Sequence, residues 1–165
     1  MTNLVKDNAL IEDPFTYVPE GGEIPAEGPV IVNLDQWRTH REDLSRRGSA
    51  LGVRLKSDES PELIADDLDR LAVVALEFPA FRDGRAYSYA RILRERYGFE
   101  GELRAVGDVL REQLHFMLRT GFNAFELTGD DPLGQVRAAI DDFTVWYQPT
   151  GDGRETALQR RHDSN

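Results

Sequence analysis

Five short apolar runs punctuate this chain, and a stretch of helical character follows each one. The runs are "PVIVNL" (Pro29–Leu34), "LGVRLKS" (Leu51–Ser57), "LAVVALEF" (Leu71–Phe78), "GELRAVG" (Gly101–Gly107) and "NAFELTG" (Asn123–Gly129). Each is too short for a core helix and is bounded by turn-forming residues, so each reads as a strand. Strands alternating with helices are joined most simply by right-handed crossovers between parallel neighbours. The expected fold is therefore α/β: an open, mostly parallel five-stranded sheet flanked by helices, built from βα units. An open doubly wound sheet is favoured over part of a barrel, because five units are too few to close the eightfold one.

The intervening segments carry helix signals. "DQWRTHREDLSRRG" can be capped by Asp35 and stopped by Gly48. In "SPELIADDLDRL", Ser60 stands at an N-cap with Pro61 at the first helical position, and Leu63, Ile64, Leu68 and Leu71 share a helical face. "DVLREQLHFMLRTG" reads as a helix capped by Asp108 and ended by Gly121, with Leu110, Leu114, Met117 and Leu118 as its buried stripe. A last helix starts at Asp131-Pro132. Residues 1–28, rich in Pro, Gly and Glu, read as a flexible arm with one short strand near "FTYV". Residues 29–149 form a single domain, and residues 150–165 a mobile tail without apolar periodicity.

Composition excludes several chemistries. The chain has no cysteine, which removes disulfides, thiol catalysis and iron–sulfur ligation by its own thiolates. His40, His115 and His162 are scattered, with no pair at metal-ligand spacing, and no metal site is expected. Neither GxGxxG nor GxxxxGK[ST] nor GxSxG occurs, and no cofactor is expected. Net charge is −10, unevenly spread: residues 1–70 have 15 acidic against 8 basic side chains, whereas residues 71–119 have 7 against 8. That balance argues against nucleic acid as a partner. The apolar runs are too short to cross a bilayer, so no membrane association is expected and the expected compartment is the cytoplasm.

Ligands of open parallel sheets bind outside the strand C-terminal ends. The longest segment expected there is "EFPAFRDGRAYS", in which Arg82 and Arg85 flank Asp83-Gly84. Asp-Gly is itself a turn signal, and the residues alone favour an ordinary turn over an anion clamp. In the helix that follows, Ala86, Ala90 and Leu93 can face the sheet, while Tyr87, Arg91 and Arg94 fall on another face beside Ser88. Arg111, His115 and Arg119 repeat the idea at intervals of four. These basic stripes read either as solvated faces or as a surface that steers an acidic partner. Gly107 would admit a ligand close to the backbone at "VGDV", and Asp108 reads as a cap. Glu77 and Glu126 end two strands; were those strands neighbours, the carboxylates could pair for acid–base work, although a rim position beside arginines is the commoner outcome. The acidic doublets, Asp66-Asp67 among them, read as exposed, and Trp37 and Trp146 as packing residues.

Over Phe78–Leu127 the stretch "FPAFRDGRAYSYARILRERYGFEGELRAVGDVLREQLHFMLRTGFNAFEL" resembles a bacterial family, domain of unknown function 934. The likeness lies in a FPxFxDGRxYSxARxLRxRxG-like run, a GDVLxDQ-like run and an RxGF run, with Glu112 standing before Gln113 where Asp is usual. It extends more weakly to the "IVNLDQW" and "LGVRL" strands. The resemblance implies a role accessory to assimilatory sulfite reduction, since such proteins resemble products encoded beside sulfite reductase; some are labelled probable oxidoreductases. The expectation is a cofactor-free, non-catalytic protein that docks on the sulfite reductase hemoprotein subunit and supports electron delivery, with the electron donor as a further partner. The alternative is a small α/β oxidoreductase or anion-binding protein, its pocket lined by Glu77, Arg82, Asp83, Arg85 and Asp108.

Overall fold

The computed structural model describes residues 3–79 and 83–145. All five apolar runs are strands of a mixed α/β fold: β4 (Val30–Asn33), β5 (Leu51–Leu55), β6 (Val73–Phe78), β7 (Glu102–Gly107) and β8 (Ala124–Leu127). They are parallel and lie side by side in chain order. The sheet, however, is mixed and eight-stranded, not a five-stranded parallel one. Three more strands come from the stretch read as an arm: β1 (Asn3–Lys6), β2 (Ala9–Ile11) and β3 (Thr16–Tyr17). The order is β2-β1-β8-β7-β6-β5-β4-β3, with β1 antiparallel to both of its neighbours and β3 parallel to β4. Asp7 and Asn8 join β1 to β2 with positive φ at both positions, the conformation a two-residue type I′ hairpin demands.

This order also replaces the doubly wound arrangement by a singly wound one. When every parallel crossover steps the same way and is right-handed, every helix falls on the same face. A second consequence follows from chain length. The edges β2 and β3 are joined by only Glu12–Phe15. Eight flat strands would put those edges roughly 34 Å apart at ~4.8 Å per strand, whereas the link from Ile11 to Thr16 reaches roughly 17 Å at most. The sheet must therefore curl into an incomplete barrel, with Glu12–Phe15 as a strap across its gap.

Strand parity then sorts the side chains. Val53, Val74 and Leu103 are in register, as are Ala105, Phe125 and Val5, and these buried residues face the helices. Burying each large apolar side chain here contributes about 1.5–3 kcal/mol. The opposite parity faces the inside of the curl and carries Arg54, Glu77, Glu102, Arg104 and Glu126.

The helices are shorter than their patterns predict. Asn33, not Asp35, caps α1 (Leu34–Thr39), through a reciprocal capping box with Gln36, and the segment breaks at His40 before α2 (Arg41–Ser45). Ser60 caps the next segment as expected, but Pro61–Arg70 is wound as 3₁₀ turns. At three residues per turn, Pro61, Ile64 and Asp67 eclipse one another. Leu63, predicted inward, is thus 46% exposed, and Asp67, predicted exposed, is buried. There it accepts hydrogen bonds from Trp37 Nε1 and the Arg41 guanidinium. After β6, α3 (Arg85–Arg91) runs on into a π-helical turn, Ile92–Arg96. After β7, a 3₁₀ turn (Arg111–Gln113) leads into α4 (Leu114–Thr120), and α5 (Pro132–Val145) follows β8. No helix among the described residues is long and apolar enough to cross a membrane. Trp146 and the predicted tail lie outside the described residues.

Candidate functional site

The loop before α3 is a neutralised turn. Asp83 accepts from the Arg85 backbone N–H at 3.0 Å and from its guanidinium, Nη2 to Oδ2 at 2.6 Å. These hydrogen bonds from Arg85 hold the Asp83 carboxyl down to about 2. Asp83 in turn holds the Arg85 guanidinium above its ordinary value. The chain's own carboxylate thus fills the Arg85 fork, in keeping with the ordinary turn that the residues favour, and Gly84 is the exposed residue at the helix start. Arg82 lies outside the described residues.

The predicted basic stripes are only partly surface. Arg91 and Ser88 are exposed, but Arg94 is not on the same face. The i→i+5 bonding of the π turn widens the helix, so Arg94 swings inward. Its Nη1 donates to the carbonyls of Phe99 and Gly101, both at 2.7 Å, and its Nε to that of Gly121 at 3.0 Å. Desolvation lowers its pKa. Arg94 thus ties together the loop before β7 and the loop after α4. Arg119 is buried too, its guanidinium over the Phe116 ring. Arg111 is exposed, and His115 packs against Phe116 with ring centroids 4.4 Å apart.

Gly107 and Asp108 correct a further expectation. Gly107 has φ +87°, and a Cβ there would lie 2.5 Å from the Phe78 carbonyl oxygen. The close approach is to β6, whose Phe78 carbonyl accepts the Asp108 N–H at 2.8 Å. Asp108 caps no helix, because α4 begins only at Leu114; for the same reason Leu110, predicted buried, is exposed. Gly121, in the left-handed region, ends α4 as predicted.

What these segments do bring together is a line of aromatic rings. Phe122 packs on Phe78 at 5.6 Å, Phe78 on Tyr87 at 5.2 Å, and Tyr87 on Phe116 at 6.4 Å. The line runs from the buried Phe122 to Phe116, which is 51% exposed. Burial pushes the Tyr87 phenol up to about 12. Phe78 and Tyr87 come from the FPxFxDGRxYS-like run and Phe122 from the RxGF run, so the tertiary fold gathers these two runs at one helix-side surface between α3 and α4. Phe116 was missed by sequence reasoning, although it sits off the Leu114/Met117/Leu118 stripe, a signal that it points elsewhere.

A second group, inside the curl, was missed almost entirely. Arg104 is 0% exposed. Its Nε donates to Glu102 at 2.7 Å, and its Nη1 donates to Asp13 of the strap at 2.7 Å and to Glu126 at 3.2 Å. Lys6 also pairs with Glu102, and Phe15 of the strap lies over Arg104. Burial opposes the charge on Arg104, but the bonds to Asp13 and Glu102 outweigh it and raise its pKa. Glu77 and Glu126 do not pair, because β7 separates their strands; each sits beside an arginine, Arg54 for Glu77 and Arg104 for Glu126. The signal available in sequence was parity: Arg54, Glu77, Arg104 and Glu126 all oppose the apolar face of their strands. Within the expected pocket, Asp83 and Arg85 satisfy each other and Glu77 turns to Arg54.

Among the described residues, no group of three or more His, Asp or Glu side chains is arranged to hold a metal ion. No curated protein and no solved structure gives a significant match to the chain. A family model does, over residues 52–158, from β5 through α5 and beyond. That match takes in both the α3–α4 surface and most of the charged interior, and the chain belongs to the family described as bacterial protein of unknown function (DUF934).

Proposed function

We propose that this protein is an accessory factor of assimilatory sulfite reduction that docks on the sulfite reductase hemoprotein subunit and supports electron delivery to it. The sulfite reductase part of this reading rests on the resemblance of the Phe78–Leu127 motifs. The docking part rests on one observation: Phe116, exposed at the end of a line of packed rings, stands among basic side chains in a chain of net charge −10. Interface centres favour aromatic residues and arginine, and a rigid ring already backed by Tyr87 and Phe78 loses little freedom on binding. His115 and Arg119 adjoin the ring, and Arg91 and Arg111 are exposed cations of the same two segments. A patch of this composition suits an acidic partner surface with an apolar centre.

Affinity capture of the full chain from sulfate-grown cells tests the reading. The hemoprotein subunit is expected to co-purify, and Phe116→Ser and Arg91→Glu each to reduce its recovery at least about tenfold, a hot-spot effect. Loss of the gene is expected to block growth on sulfate and on sulfite, with relief by sulfide or cysteine. Growth on sulfite without the gene, or undiminished capture by both folded variants, would overturn the proposal.

A further inference from the structure

At the strand C-terminal side of the curl, one arginine differs from the others. Arg85 and Arg104 have their forks filled by Asp83 and Asp13. Arg54 does not. Its Nε donates to Glu77 Oε2 at 3.2 Å, and its guanidinium lies 4.7 Å from the centre of the Tyr17 ring. These two contacts fix the edge and the plane of the group. Neither Nη atom has a protein partner among the described residues, and neither is sealed away from solvent. The side chain is nevertheless only 20% exposed, so its stem is held within the curl and only the end is presented. Arginines on open helix faces must give up rotamer freedom to bind; this one is already oriented.

The surroundings follow from register. Tyr17 aligns with Ile31 and Ile31 with Gly52, so all three share the inward parity with Arg54. Gly52 leaves no side chain between Ile31 and Val73; a Cβ there would lie 2.9 Å from Val73 Cβ. With nothing rising from Gly52, Arg54 can reach Tyr17 across β4. We infer that this mouth is a small-anion site, built on the open Arg54 fork, for a carboxylate or a tetrahedral oxyanion offering two coplanar oxygens. Glu77 positions the fork and offsets its charge, which limits affinity to roughly millimolar dissociation constants.

The test is an NMR titration of the isotope-labelled full chain with acetate, sulfate and inorganic phosphate, against chloride at constant ionic strength. The Arg54 side-chain Nε–H signal and the Tyr17 ring signals are expected to shift saturably with at least one oxyanion and not with chloride. Saturation at lower acetate than sulfate or phosphate assigns the site to carboxylates; the reverse assigns it to tetrahedral anions. Arg54→Lys keeps the charge but removes the fork, and is expected to weaken binding at least tenfold. Tyr17→Leu, at the sheet edge, is expected to weaken it several-fold with the fold retained. The inference fails if no oxyanion saturates, if chloride acts alike, or if folded Arg54→Lys binds as tightly as the parent. Because the site lies on the face opposite α3 and α4, Arg54→Lys should leave capture of the reductase unchanged.

Discussion

Asp83 and Arg104 show how differently two ion pairs can act in one molecule. Asp83 lies at a helix start, and Arg85 holds its carboxyl at about 2 rather than at its ordinary 3.8. A depressed acid contributes stability that is fully present above the ordinary value and is lost as pH falls toward 2. A carbon-detected NMR titration should therefore find the Asp83 midpoint near 2, and Arg85→Gln should move it back toward 3.8. Arg104 is a different case, because both it and Glu102 are buried. Replacing it by Met leaves Glu102 inside the curl without its closest partner, and is expected to destabilise the protein by about 3–5 kcal/mol in urea unfolding. Arg104→Met combined with Glu102→Gln should recover part of that loss. Purely additive losses would show that the pair is not coupled.

Among the elements, the Pro61–Arg70 segment gives the sharpest contrast between pattern and geometry. Both an α-helix and a 3₁₀ segment put Ile64 inside, but the 3₁₀ segment sets Asp67 directly in line with Ile64 and turns Leu63 outward. Leu63→Glu should thus change stability by no more than about 0.5 kcal/mol, whereas Ile64→Ala should cost about 2–5 kcal/mol. Equal losses for the two variants would return the segment to an α-helix. The β6–β7 pair makes a similar demand on backbone. Gly107→Ala would place a methyl against the Phe78 carbonyl in a left-handed conformation, and should cost more than about 1 kcal/mol in the same assay.

For the molecule as a whole, the strap decides the shape. Glu12–Phe15 joins the two edges of the sheet, and Asp13 fastens it to Arg104 at the centre. Asp13→Ala should loosen the edges first. Native-state hydrogen exchange is expected to speed up in β2 and β3 while β5, β6 and β7 keep their protection. Uniform acceleration across the sheet would mean that the strap is part of the core rather than a closure over it. The same topology separates two surfaces: the aromatic patch of α3 and α4 outside, and the Arg54 mouth inside. One can therefore be altered while the other is held constant.

Local rules were enough for much of this. The five apolar runs became β4 to β8, Ser60 capped its segment and Gly121 ended α4, because strand propensity, capping and a left-handed turn depend on residues close in sequence. Family membership was likewise legible in the Phe78–Leu127 motifs. The hairpin at Asp7-Asn8 could have been read the same way and was not. The strand order, the closure by a four-residue strap and the burial of Arg104 depend on residues far apart in the chain, Asp13 and Arg104 above all. No local pattern distinguishes a charge that faces water from one that faces the inside of a curled sheet. That distinction is made only when the sheet curls and brings carboxylates from three strands and the strap onto one guanidinium or its neighbours, for burial without them would leave the charge unsolvated.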